Sequence, residues 1–473
     1  MKFYDSVSSA LAKQGVNAMT GSMYDFISNW TEWYRGNVNN FHTYKQKLAD
    51  GKTIKRDRLT MNMAKKVCED MAKLIWTEKT KIELKTPEQT EELWKILDSK
   101  KNNFSVNLPE FIERAMALGT GMLVEYTDND ETLIDYVDAD LILPFEYNNS
   151  YISGVATISR QTIKKGDSTI YYSLLTLHRF KDGKYTKEHQ LYESTDQNDL
   201  GKEIPLSTRY ENLPKTVEYD TETPHFQLFR PNIANNLDKT SPMGISIFAN
   251  RIDTLKALDV AYDSFTNEFI MGKKRILVDR SAVKGAVDPQ TGNIAQYFDA
   301  DDPTYMAING MDNQPIKEID FSLRTENHIA SINAELNYLS AGVGLGQNFY
   351  EFNGTGAKTA TEVISENSDT FRSKVNHEII LRDCIYDLVK VICELEGLDD
   401  SEINIEFDDS VIEDKEADAR KALIEYNAGL IDKVEYFVKA RGMDQEQAEQ
   451  YVAEIEARAP KPEQPTEEEP EEE

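Results

Sequence analysis

From Thr359 to about Leu395 the chain carries no glycine and no proline, and Val363, Phe371, Val375, Ile379, Leu388 and Ile392 recur broadly in helical phase. A helix of about 36 residues would span roughly 54 Å, the longest helix signal in the chain. A second long signal lies in "SPMGISIFANRIDTLKALDVAYDSFTNEFIMGKKR". Ser241-Pro242 reads as a cap and first-turn proline, and Ile245, Phe248, Ile252, Leu255, Tyr262, Phe265 and Phe269 follow a three-four spacing. Residues 245–271, about 27 of them, would make roughly 40 Å of helix. Gly272 can end it, and Lys273, Lys274 and Arg275 suit the negative end of its dipole. A short strand-like and turn-rich section follows, from "RILVDRSAV" to "KEIDF". Then "SLRTENHIASINAELNYLSAG" aligns Ile329, Ile332, Leu336 and Leu339 on one helix face. Two long helices flanking a compact insert suggest a stalk with a tip.

The stretch "GVGLGQNFYEFNGTGAKTATEV" joins this helix to the longest one. Its glycines invite comparison with phosphate-binding loops. A P-loop needs G-x-x-x-x-G-K-[ST], yet Lys358-Thr359 is preceded by Ala357, and Phe352 stands where the first glycine belongs. The G-x-G-x-x-G pattern fails at both Gly342-Val343-Gly344 and Gly354-Thr355-Gly356. Both motifs also require a preceding strand, whereas this loop follows a helix. The sequence therefore describes a flexible connector, with Thr359 as N-cap of the helix that follows.

Elsewhere the first 120 residues look helical. In "RLTMNMAKKVCEDMAKLIW" Leu59, Met63, Val67, Met71 and Leu74 share a face, and "LPEFIERAMALG" has Pro109 near its start and Gly119 after its end. The aromatic run Tyr24, Phe26, Trp30, Trp33 and Tyr34 reads as a docking face or core. A β-rich section spans about 122 to 230, with a hairpin around Asp-Asn-Asp and a meander turning at Lys-Gly-Asp and Lys-Asp-Gly. After "EINIEF", a short strand, come C-terminal helices in "EDKEADARKALIEYNAG", "LIDKVEYFVKARG" and "DQEQAEQYVAEIEAR", the last capped by Asp444. The tail "APKPEQPTEEEPEEE" has the composition of disorder.

Charge excludes one function class. The net charge is −30, and the last fourteen residues, with seven Glu and one Lys, account for only −6 of it. A free-standing DNA-binding domain draws most of its affinity from a basic face. This chain as a whole repels DNA, which still permits a surface past which DNA moves. Three cysteines, Cys68, Cys384 and Cys393, give no disulfide framework and suit a reducing cytoplasm. No signal peptide and no apolar run of about 18 residues is present, so the reading is intracellular and soluble. The six histidines are scattered, and H-E-x-x-H, C-x-x-C and G-x-S-x-G are all missing. Acidic pairs such as Asp408-Asp409 are common among 83 carboxylates and read as solvated faces. No enzyme, metal or cofactor is expected.

The stretches "NMAKKVCEDMAKLIWTEKTKIEL", "SPMGISIFANRIDTLKALDVAYDSF", "TGAKTATEVISENSDTFR" and "GLIDKVEYFVKARGM" resemble the portal proteins of long-tailed double-stranded DNA bacteriophages and prophages of Gram-positive bacteria. The resemblance runs from about residue 20 to 455 and rests on the ensemble and its order, since no single motif is a catalytic signature. It implies a mainly helical α+β fold with wing, two-helix stem, clip and crown. On this chain the wing is 1–242 (helical 1–121, β-rich 122–230), the first stem helix 243–272 and the clip 273–320. The second stem helix is 321–342, the tunnel loop 343–358, the long wing helix and strand 359–410 and the crown 411–458, before a disordered acidic tail at 459–473. The resemblance also implies a ring, usually of twelve subunits, at one capsid vertex in the virion. Its implied partners are the terminase large subunit, head-completion or adaptor proteins, scaffolding and major capsid proteins, and double-stranded DNA in transit. Gln347, Asn348, Asn353 and Lys358 become channel-facing tunnel-loop residues, Lys358 being the only lysine or arginine between Arg324 and Arg372. Lys273, Lys274 and Arg275 become either DNA-facing or helix-capping cations. The competing readings are another minor capsid or head–tail adaptor protein, lacking the paired helices, and a nucleotide-driven motor subunit, against which the missing P-loop speaks.

Overall fold

The computed structural model describes residues 2–18, 22–47, 51–166, 168–272, 275–279, 285–287, 294–296, 305–308, 316–319, 322–352, 360–408 and 415–458; the expected disordered tail lies outside them. The helices are α1 (Lys2–Lys13), α2 (Met23–Tyr34), α3 (Met63–Ile75), α4 (Pro87–Leu97), α5 (Phe104–Leu118), α6 (Ile252–Met271), α7 (Thr325–Gly342), α8 (Ala360–Glu396), α9 (Lys415–Asn427), α10 (Lys433–Arg441) and α11 (Gln445–Arg458). With the strands between α5 and α6 the architecture is α+β, as expected. Contacts divide it into two compact units, one drawn from 1–359 and 368–408, the other from 360–367 and 409–473.

The first unit is built on α2, α3 and α5. The aromatic run proves to be core: Tyr24, Trp30 and Trp33 are buried, and the Tyr24 hydroxyl donates to the Ile142 carbonyl at 2.7 Å. On α3 Met63, Val67 and Met71 are buried, but Leu59 precedes the helix and is exposed. The helix α5 begins five residues before Pro109, which therefore sits inside it rather than near its start. Gly119 ends α5 at φ +84°, and a Cβ there would stand 2.7 Å from the Gly244 carbonyl oxygen, so only glycine fits.

The β-rich section runs from Gly121 to Phe229. Gly121–Asp128 and Glu131–Asp138 form the expected hairpin, with Asn129 and Asp130 at φ 51° and 61°, the positive values a tight two-residue turn demands. The meander Ile142–Asn148, Tyr151–Lys165, Ser168–Lys181 and Lys184–Ser194 pairs each strand with the next, and Asp182-Gly183 makes the last turn in the same way. The short strand Ile403–Glu406 pairs antiparallel with Lys81–Leu84, joining two segments distant in the chain.

Two expectations about the long helices need correction. The first does not start at Ile245. Residues 244–248 form an irregular segment against the end of α5, where the Ile247 amide donates to the Met116 carbonyl (3.0 Å) and the Gly244 amide to Thr120 Oγ1 (3.1 Å). Ile245 and Phe248 are fully buried there, so their helical phase served a loop. A 3₁₀ turn at Ala249–Arg251 then leads into α6. On α8, Ile379 is exposed, while Leu381, Ile385, Leu388, Val389 and Ile392 carry the apolar face. The buried lining continues toward the helix start through polar groups: Thr370, Lys374 and Glu378, the last two paired at 2.6 Å.

In the second unit Asp432 caps α10 by accepting from the Glu435 amide at 2.7 Å. Asp444 caps α11 as expected, accepting from the Gln447 amide at 2.7 Å. Among the described residues no helix is long and apolar enough to cross a membrane.

Candidate functional site

The two helices of the expected stalk, α6 and α7, meet at the point where the chain leaves for residues 273–323 and returns. Glu268, one turn from the end of α6, receives the Arg324 guanidinium through Nε (3.1 Å) and Nη2 (2.8 Å), and also the Arg324 backbone amide (3.3 Å). His328 Nε2 lies 3.6 Å away. These donors, Arg324 first, hold the Glu268 carboxyl down at about 2. The intervening excursion includes the strand Arg275–Asp279, flanked by Tyr305–Ile308 in parallel and Ile316–Ile319 antiparallel.

The base of α6 is fixed by a buried carboxylate. Asp259 accepts from His42 Nε2 (2.9 Å), Thr60 Oγ1 (3.0 Å) and the Met61 amide (2.9 Å). The Val38 amide donates to His42 Nδ1 at 2.7 Å, which places the ring proton on Nε2, facing Asp259.

The glycine-rich loop begins directly after α7. Its described part, 343–352, is fastened rather than free. Val343 and Leu345 are buried, and Gly344 adopts φ +84° with its α-carbon so near Ser373 that a Cβ would approach Oγ to 2.3 Å. The Gly346 amide donates to Thr370 Oγ1 (2.9 Å), the Asn348 amide to Asn337 Oδ1 (3.1 Å) and the Phe352 amide to Asn333 Oδ1 (2.8 Å). The Tyr350 hydroxyl donates to Asp70 (2.8 Å), and Phe352 packs edge-on against Phe265 of α6. A phosphate cradle needs backbone amides converging on open space. Here three are already committed to side chains, which excludes a nucleotide site in this part of the loop on geometry as well as on motif.

Of the residues singled out from sequence, Gln347 is exposed and Asn348, at φ 60°, is half-buried beside it. Arg275 opens the first strand of the excursion, away from that pair in the chain. Lys273, Lys274, Asn353, Lys358 and Thr359 lie outside the described residues. Sequence reasoning missed the residues that set the loop: Asn333, Asn337, Thr370 and Asp70. Asn333 and Asn337, four apart on α7, were a legible polar stripe, because residues at that spacing share a face.

No group of three or more His, Cys, Asp or Glu is placed among the described residues to hold a metal ion. The three cysteines are buried, and burial pushes their thiols up, that of Cys393 to about 11.

No curated protein matches this chain. A solved structure described as the neck of an empty GTA particle computed with C6 symmetry aligns with 80% of this chain and 88% of its own, at 10% identity and a TM-score of 0.40. The family model described as phage portal protein, SPP1 Gp6-like, matches residues 23–461, a span that takes in α2 to α11, the Glu268–Arg324 junction and the anchored loop alike. The chain thus belongs to the phage portal protein family.

Proposed function

We propose that this portal protein closes into a ring at one capsid vertex, with α6 and α7 as the stem and residues 273–320 as the clip, and that it conducts double-stranded DNA during packaging and ejection. The family is structural rather than enzymatic, and its members are virion components. The observation that carries the reading is the Glu268–Arg324 junction. It clasps the end of α6 to the start of α7, so the excursion between them leaves and re-enters at one place, as a stalk with a tip requires. Cyclic rings use heterologous interfaces in which different patches meet. Exposed apolar side chains for such patches are present on both helices: Val260, Phe269 and Ile270 of α6 and Tyr338 of α7.

A conduit must not grip DNA, because each cation–phosphate contact adds affinity. A net charge of −30 favours passage over binding. In this reading Gln347, Asn348, Asn353 and Lys358 line the channel, and the terminase large subunit, head-completion proteins, scaffolding protein and major capsid protein dock on the ring's outer surfaces. Electron microscopy of the purified chain tests it. Class averages with a closed ring and a central bore support the proposal, and particles without a bore favour an adaptor or minor capsid role instead.

A further inference from the structure

One surface runs against the charge of the whole molecule. Residues 43–58 hold six Lys or Arg against two Asp, in a chain of net charge −30. They form an antiparallel hairpin of Thr43–Lys47 and Thr53–Asp57 that pairs with no other strand among the described residues. The register sets Thr43 opposite Asp57, Lys45 opposite Lys55 and Lys47 opposite Thr53. Directly opposed side chains share a face, so Lys45, Lys47 and Lys55 all stand on one side of the ribbon. All three are exposed, and none forms an ion pair with a described residue. The one acid on that face, Asp57, receives the Thr43 hydroxyl at 2.8 Å.

The arrangement carries an electrostatic cost, since like charges directly opposite each other weaken a strand pair. A two-stranded ribbon has little stability to spare. Protecting an edge from aggregation needs a charge, not an opposed pair of equal sign. The base of the ribbon is tied to the body. Arg58 lies over the rings of Phe41 (4.2 Å) and Tyr44 (4.9 Å), and the Leu59 amide donates to Asp263 of α6 at 3.1 Å. The lysine face is therefore held outward from a fixed base.

We propose that this face, through Lys45, Lys47 and Lys55, binds the phosphate backbone of double-stranded DNA without regard to sequence. A protein partner fits less well. The face holds only Thr, Lys and Asp, whereas interface cores are built from aromatic, Met and Arg side chains and are depleted in Lys. The acidity of the rest of the chain does not forbid the contact. At about 0.1 M salt the Debye length is about 10 Å, so the local charge of the hairpin governs what it meets. The inference does not depend on ring formation or on a DNA channel.

The experiment is fluorescence anisotropy of the full-length protein with a short labelled duplex of mixed sequence, across about 50 to 200 mM salt. Three phosphate contacts give a slope of about −2.7 in log K against log salt, or an affinity loss of about 40-fold over that range. The triple Lys→Gln variant at positions 45, 47 and 55 should flatten that slope and lose most of the low-salt affinity. The triple Lys→Arg variant should keep both. Because the Gln variant relieves the Lys45–Lys55 repulsion, its melting temperature should equal or exceed that of the parent, which separates lost binding from lost folding. Binding unchanged in the Gln variant, or no binding by the parent at low salt, overturns the proposal. So does a Gln variant that fails to self-assemble yet binds duplex like the parent, because the face would then be a contact between copies.

Discussion

Removing the Asp259 carboxylate should loosen α6 from the body of the molecule. Asp259→Ala strands three donors: the His42 Nε2–H, the Thr60 hydroxyl and the Met61 amide. Each buried donor left without an acceptor costs about 1–3 kcal/mol. Thr60 is half-buried and can take up water, whereas His42 is buried, so we expect a loss of about 3–5 kcal/mol. That is a large part of the roughly 5–15 kcal/mol by which domains are stable. Asp259→Asn should be nearly as damaging. Whichever way the amide turns, its NH₂ faces a donor, and His42 cannot move its proton to Nδ1 without losing the Val38 amide. The assay is urea unfolding followed by tryptophan fluorescence, which reports on this site because the Trp33 ring lies 5.6 Å from that of His42. Combining Asp259→Ala with His42→Ala should give a coupling energy of about 1–3 kcal/mol. A coupling below about 0.5 kcal/mol, or an Asn variant as stable as the parent, would falsify the reasoning.

Three further substitutions test separate parts of the account. Glu125 is buried with neither carboxylate oxygen hydrogen-bonded, and burial raises its pKa well above the ordinary value; the stability that a raised carboxyl forfeits grows as pH climbs above the unfolded pKa, by about 1.4 kcal/mol per unit, until the folded pKa is reached. Glu125→Gln should therefore raise the melting temperature at pH 7 and leave it unchanged near pH 4. Gly119→Ala places a methyl group against the Gly244 and Ile245 backbone at positive φ and should cost several kcal/mol, on the order of 3 or more, in the same urea assay. Lys358→Ala should leave assembly intact, as seen by size-exclusion chromatography, and reduce DNA packaging or retention; a variant that no longer folds contradicts its assignment to a channel loop.

What the sequence disclosed and what it hid follow from the range of the forces involved. The Asn129-Asp130 and Asp182-Gly183 turns were legible because positive φ is a local requirement with a local residue signature. The Asp444 cap was legible for the same reason. The start of α6 was not, because Ile245 and Phe248 keep helical spacing while packing as an irregular segment on α5, a tertiary effect that periodicity cannot register. The partner of Ile403–Glu406 lies in the chain's first quarter, beyond any local pattern. At the loop, the failed nucleotide fingerprints were readable. The anchors Thr370 and Asp70 come from distant segments, and the connector looked more mobile on paper than its described half is. The Lys45–Lys55 opposition needed the hairpin register, which places the two lysines on one face.

On the proposed reading, copies of this chain close into a ring around a bore. Native mass spectrometry of the full-length protein at modest ionic strength tests it most directly. The account predicts one dominant species at a single fixed multiple of the 54.0 kDa chain, as closed cyclic symmetry requires, with no ladder of smaller oligomers. A stable monomer at every concentration and buffer, or an open-ended series of sizes, would contradict it.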